Sequence, residues 1–315
     1  MSAKYRRCAL WRVCALYRRP KSNAIPRNLA KSAKLYHPLV ILGFALVSGS
    51  ASGATLFNLT TAQQLYGVVA NTFSIENGNT DILGDVGLSN LLAISAGHIE
   101  PNAPYTGAAY FSGAINCSPN CTNVLGGAVA NTATVTTAIS DYNSMATSLI
   151  GLGGATNLGA LAGGTTLTPG LYDATTITLP TGTTLTLNAQ GNSSAQFVIR
   201  FSGNLTAAGT GAINLINGAT ADNIVFLYTG TSSQSWSGNG TFHGIFIDTD
   251  PTASHSISFS NSSFTDGRIV HTAGIVDFNN ADLTEPISSA PEPSTLGFLG
   301  LALGLAGFRF LRKRT

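Results

Sequence analysis

At 315 residues, with 44% apolar and only 10% charged side chains, the chain is long enough for one large β domain and poor in the ions of an ordinary soluble surface. Its formal net charge of +2 hides a segregation, because ten of sixteen basic residues lie within the first 34 positions and four more, Arg309, Arg312, Lys313 and Arg314, close the chain. Between positions 55 and 290 only Arg200 and Arg268 are basic against thirteen acidic residues, a formal charge of −11 that argues against a phosphate backbone as partner, so no nucleic acid is expected.

The basic leader runs into an apolar stretch, residues 38–47, and then into Ser48-Gly49-Ser50-Ala51-Ser52-Gly53-Ala54. Charged, apolar and small residues in that order predict a secretory signal peptide over residues 1–54, with Ala54 as its last residue. Export places the remaining cysteines, Cys117 and Cys121, in an oxidising compartment, and Pro119-Asn120 favours a tight turn between them. A disulfide is expected there, since two thiols without a nearby His or second Cys pair make only half a zinc site, and no metal is expected.

Strand-like pieces begin at residues 65–70, which Asn71 is expected to end, and continue at 73–75 and 82–87. Residues 97–127, rich in Gly, Asn and Pro, read as an irregular cap. The period then changes. Val135, Ala138, Ile139, Tyr142, Met145, Ala146, Leu149 and Ile150 recur at helical spacing and predict one amphipathic helix over 132–150, stopped by Gly151, Gly153 and Gly154. Its apolar stripe needs a β surface to cover.

From residue 165 to 283, short apolar runs alternate with Gly, Asn, Ser and Thr clusters: 176–179, 185–187, 197–201, 213–216, 224–228, 245–247, 257–259 and 269–270. Within them Thr241-Phe242-His243-Gly244-Ile245-Phe246-Ile247 is echoed by Ser263-Phe264-Thr265-Asp266-Gly267-Arg268-Ile269-Val270, with Phe 22 and Gly 23 residues apart. A period in the twenties is one coil of a solenoid. The predicted fold is therefore all-β with one long helix: a β-solenoid occupying residues 55–285, followed by a tail over 286–315.

Some solenoids cleave polysaccharides, so catalysis needs a test. His243, His255 and His271 are separated by 12 and 16 residues, which do not return to one point of a 22-residue coil, and Asp248-Thr249-Asp250-Pro251 reads as a turn. No paired carboxylates, nucleophile elbow or phosphate loop emerges, and Arg268 reads as a residue that ties down a coil. No enzyme activity and no cofactor are expected.

In the tail, Pro291-Glu292-Pro293-Ser294 precedes an apolar segment, 295–308, and the basic end, which together read as a short membrane segment with a cytoplasmic cationic end. The sequence Pro291, Glu292, Pro293, apolar segment and basic end resembles the PEP-CTERM sorting signal of exported bacterial proteins. That resemblance implies transient inner-membrane anchoring, processing by an exosortase-type enzyme, and release to the cell surface or extracellular matrix.

The body resembles the bacterial ice-binding-like family. The matching stretches are Gly84-Asp85-Val86-Gly87-Leu88-Ser89, Leu167-Thr168-Pro169-Gly170-Leu171-Tyr172, Leu185-Thr186-Leu187-Asn188-Ala189-Gln190-Gly191, Ala195-Gln196-Phe197-Val198-Ile199 and Asn214-Leu215-Ile216-Asn217-Gly218-Ala219, with the helix between the first and second. The resemblance implies a discontinuous β-solenoid (β-helix), an α-helix packed along its side and an irregular cap. It also implies a flat face of short Thr, Ala, Ser and Asn side chains that binds an ice crystal surface. Candidate face residues are Thr206, Ala207, Thr210, Thr229, Thr231, Ser235, Ser237, Asn239 and Thr241, while Thr220-Ala221-Asp222-Asn223 is the nearest literal match to the family's face pattern or, alternatively, a turn, where Asp and Asn are at home. No regular Thr-x-Thr ladder runs from coil to coil, and a matrix or adhesion protein that binds extracellular polysaccharide or cells on the same scaffold is the alternative.

Overall fold

The computed structural model describes residues 55–286 apart from 238, 249–254 and 262; the leader, the Pro291-Glu292-Pro293 motif and the apolar tail lie outside the described residues. Among the described residues no helix is long and apolar enough to cross a membrane. The strands follow the chain as β1 (Val68–Ile75), β2 (Asp81–Leu83), β3 (Val86–Ile94), β4 (His98–Glu100), β5 (Ala109–Phe111), β6 (Cys117–Pro119) and β7 (Ala128–Val129). After the helix α1 (Ala133–Gly151) come β8 (Thr156–Ala162), β9 (Thr166–Leu167), β10 (Gly170–Leu179), β11 (Thr184–Asn188), β12 (Phe197–Phe201), β13 (Leu205–Ala207) and β14 (Ala212–Ile216). The last are β15 (Ile224–Tyr228), β16 (Gln234–Ser237), β17 (Thr241–Asp248), β18 (Ser256–Ser260), β19 (Ser263–Asn279) and β20 (Asp282–Thr284).

Among the described residues every pairing between these strands is parallel, coil upon coil, which gives a solenoid with three sheet faces. The paired segments Thr241-Phe242 and Ser263-Phe264, then Gly244 to Asp248 and Gly267 to His271, are neighbouring coils, and a register shift between Phe242 and Gly244 accounts for the unequal Phe and Gly spacings of the repeat.

The stacking order departs from chain order. Coils climb from β8–β9 through β10–β11, β12–β14 and β15–β17 to β19–β20, and then β1 pairs with β19 on one side and with β3 on the other. The first coil of the body thus lies between its last coil and its second. Beyond β3 come β5, β6 and β7. The helix connects these distant ends, and 19 residues at about 1.5 Å each cover roughly six coil spacings of about 4.8 Å.

Helix α1 begins at Thr132 as N-cap residue, as the pattern requires, and buries Val135, Ala138, Tyr142, Met145, Ala146 and Leu149 against Val69, Val198, Val225, Leu227, Ile245, Ile247 and Val270 of one face. Ile150, expected in the stripe, is instead 47% exposed because it falls on the far side of the last turn. Arg200 fixes that end: its Nη1 donates to the carbonyls of Leu149, Ile150 and Leu152 while Nε and Nη2 grip Asp173 at 2.6 and 2.8 Å. A cation here satisfies carbonyls that the helix leaves open and complements its dipole.

Three local expectations change. Asn71 does not end a strand but turns β1 from one face to the next, marked by a register shift between Ala70 and Thr72. Residues 82–87 divide at Gly84, whose φ of +148° suits glycine and makes the corner between β2 and β3. The cap is only partly irregular, since β4, β5 and β6 fall within it and pair with the coils beneath.

Cys117 and Cys121 form a disulfide with Cα atoms 5.7 Å apart. It closes a loop of about five residues, for which the chain-entropy relation gives about 2 kcal/mol. Cys117→Ser with Cys121→Ser should therefore lower protection of the β6 amides by about that amount in hydrogen exchange, leaving the coils from β8 to β19 unchanged.

Candidate functional site

The apolar core inside the coils is continuous, running from Leu161 through Ile177, Leu205, Trp236, Phe259 and Phe278 to Phe73 and Leu92. Alternation along each strand turns the residues between these outward. One face is covered by α1, which leaves two open.

The first open face carries a central row traced by register: Ala162, Thr178 and Thr206 on β8, β10 and β13, then Ser235, Ser258, Asp277, Ser74, Ala93 and Ser118 on β16, β18, β19, β1, β3 and β6. β13 lies beside β16. There the Leu205 N–H donates to the buried side chain of Gln234 at 3.0 Å, which holds the two strands in register. Flanking positions are short at Thr176, Ser256 and Thr72 on one side and at Ser237, Ser260 and Asn279 on the other, but Ile275, 40% exposed, and Leu91 interrupt the first of these flanks. Asp277 is the charge in the central row. Burial pushes its carboxyl up from the usual range, and Ser258 Oγ donates to it at 3.2 Å.

The second open face begins with Thr166, Thr186 and Asn214 in register but ends among Asp282, Asp81, His98 and Glu100. His98 Nδ1 and Asp81 Oδ1 are 3.6 Å apart there, both half exposed. Carboxylates and an imidazole bind water in their own geometries, and this face gathers more of them than the first, where Asp277 stands in the row.

The sequence-derived face residues divide between these places. Thr206, Ser235 and Ser237 project outward on the first open face. Ala207 points inward and is 6% exposed, because it alternates with Thr206 and packs in the core, so it is not on the surface. Thr229 and Thr231 lie at the corner after β15, where the Thr229 N–H donates to the Phe201 carbonyl. Thr210 and Asn239 lie at the opposite corner, where Thr210 Oγ1 accepts from the Gly182 N–H at 3.0 Å. Thr241 opens β17 on the second face. The literal pattern over residues 220–223 is a helical turn at a third corner, with Asp222 paired to Arg268. Thr178, Ser258 and Ser74 were missed, and alternation within their strands was the signal for them.

Arg268, as read from the sequence, ties coils together. It is fully buried, pairs directly with Asp222, and stands 4.0 Å from Glu285 Oε1. One guanidinium balances one carboxylate, and Asp222 holds it more closely. Glu285, buried and second in line, has its carboxyl pushed up to about 8 by desolvation, although the Asp85 N–H donates to it.

His243 lies at the register shift within β17, between Phe242 and Gly244. His255 and His271, which their spacing was expected to keep apart, are buried together with Asp248, which ends strand β17 and is not part of a turn. Asp250 lies outside the described residues.

Residues 68–284 match the ice-binding-like family, more than half of the chain. The chain belongs to that family. Residues 289–314 match the PEP-CTERM protein-sorting motif, which marks the protein for export and surface association. Among solved structures the fold is similar to an ice-binding protein of Shewanella frigidimarina at 22% identity and a TM-score of 0.53, covering 72% of this chain and 96% of that one. It is also similar to an antifreeze ice-binding protein from an Arctic yeast at 19% identity and a TM-score of 0.53, covering 76% and 98%. An ice-binding protein of the Antarctic ascomycete Antarctomyces psychrotrophicus matches at 18% identity and a TM-score of 0.51, covering 72% and 98%. No curated protein matches the chain. These likenesses support the β-solenoid with a flanking helix on which the family is built.

Proposed function

We propose that this ice-binding-like protein binds ice, without catalysis, through the open face whose central row runs from Ala162 to Ser118, and that it does so from the cell surface or matrix after export. The observation that carries this is a row of short, nearly neutral side chains repeated at one coil spacing, about 4.8 Å, along the uncovered face. Hydroxyls and methyls held on a rigid sheet order water into a lattice with little conformational entropy left to lose on contact. Serine outnumbers threonine in the row, so fewer methyl groups assist and the activity is expected to be moderate. Pro291, Glu292 and Pro293 then serve exosortase-type processing, with the apolar tail as transient membrane anchor.

Thermal hysteresis and inhibition of ice recrystallisation by the purified full chain test the reading. Thr206→Tyr and Ser258→Tyr, each placing a ring above the row, should reduce hysteresis several-fold, while Thr186→Tyr on the other open face should not. Unchanged crystal shape and growth with micromolar protein would sink the proposal, and loss of activity only in the Thr186 variant would move the site. Binding to glycans in place of ice would support adhesion on the same scaffold.

A further inference from the structure

We propose that Asp248, His255 and His271 form a binding site for one divalent transition-metal ion of the zinc class, set inside the corner between the helix-covered face and the first open face. Asp248 and His271 are register partners on neighbouring coils, and His255 immediately precedes β18 on the next face. Their exposures are 2%, 5% and 0%.

The geometry is that of a ligand set. His255 Nε2 lies 2.9 Å from Asp248 Oδ2, and His271 Nδ1 lies 4.0 Å from Asp248 Oδ1. One donor atom from each residue falls within 4.8 Å of the others. Zinc bonds of about 2.0–2.2 Å in tetrahedral geometry need donors roughly 3.3–3.5 Å apart, which the observed separations bracket.

The tautomer agrees. His271 Nε2 is 3.3 Å from the His255 carbonyl, which can only accept, so Nε2 donates there and Nδ1 is the ring nitrogen turned toward Asp248. Metal-bound histidines are characteristically oriented by just such a donation from the other ring nitrogen to a carbonyl. A metal takes His255 Nε2 only when that nitrogen is free of its proton, which the same ring can carry on Nδ1 instead.

The backbone is cut to receive the ring. A Cβ at Gly274 would lie 1.7 Å from His271 Nε2, so any other residue there would expel the imidazole. The second candidate group, Asp81, His98 and Glu100, is partly exposed and has no such enclosure. Three protein donors leave a fourth position for water. An ion here would join the coils of β17, β18 and β19 beside the pairing of His271 with Ala70, where the two ends of the body meet.

The full chain, stripped with a chelator and titrated with cobalt and then zinc, should take up one equivalent of cobalt with the visible absorption of a four-coordinate site. Zinc should displace it and raise the melting temperature by several degrees. His271→Asn and Asp248→Asn should abolish uptake, and His98→Ala should not. Absence of saturable binding, or binding lost only in the His98 variant, overturns the assignment. Should the buried variants fail to fold, X-ray absorption of the zinc-loaded wild type decides: two imidazoles in the first shell support the site, and fewer refute it.

Discussion

Arg268→Ala should cost about 3–5 kcal/mol of unfolding free energy, the usual penalty for removing one partner of a buried ion pair. The side chain is entirely enclosed, and its loss strands Asp222, one-quarter exposed, and leaves Glu285 without a nearby cation. The same site predicts how stability depends on pH. Glu285 keeps its proton up to about pH 8 in the fold but releases it near the usual 4.5 when unfolded. Because the folded value is the higher one, this stabilisation is complete below about pH 4.5 and is lost as the pH rises towards 8. Denaturant unfolding at pH 5 and pH 8.5 should therefore show a decline on the order of 3 kcal/mol, and Glu285→Gln should flatten it. A wild-type protein equally stable at both values would contradict the assignment of a protonated Glu285.

Trp236→Ala should be as damaging, at about 3–5 kcal/mol. Its indole is fully buried and meets Phe242, Phe246 and Phe259 with ring centroids 4.7, 5.0 and 4.7 Å away, the latter two edge to face. These rings come from neighbouring coils and from strands on all three faces. A cavity there loosens β16, whose outward residues Ser235 and Ser237 lie in the row and on its flank. Calorimetry should show the lower melting temperature, and ice activity should fall even at temperatures where the variant remains folded. Trp236→Phe, which keeps one ring, should recover much of both.

Coils, helix and the in-register repeat were legible in the sequence because each depends on local periodicity, as in the perfect coincidence of Phe197–Phe201 and Ile224–Tyr228 with strands. The open face was less so. A ladder is sought along the chain, whereas Ser74 and Asp277 are neighbours only because the first coil docks on the last. Ala207 was misplaced for a simpler reason: composition marks it as small, and only alternation with Thr206 shows that it points inward. His255 and His271 escaped because their 16-residue separation counts around a corner, where a register shift decides which side chains turn in.

The insertion of β1 between β19 and β3 has a kinetic meaning. The first strand of the body has no partner on one side until the last coil exists, so the central part of the open face cannot close while the chain is still being made. Such non-local pairing slows folding, and the body closes only once its C-terminal coil is present. Deleting residues 267–286 should then leave an unpaired, aggregation-prone edge on β1 instead of a shorter solenoid.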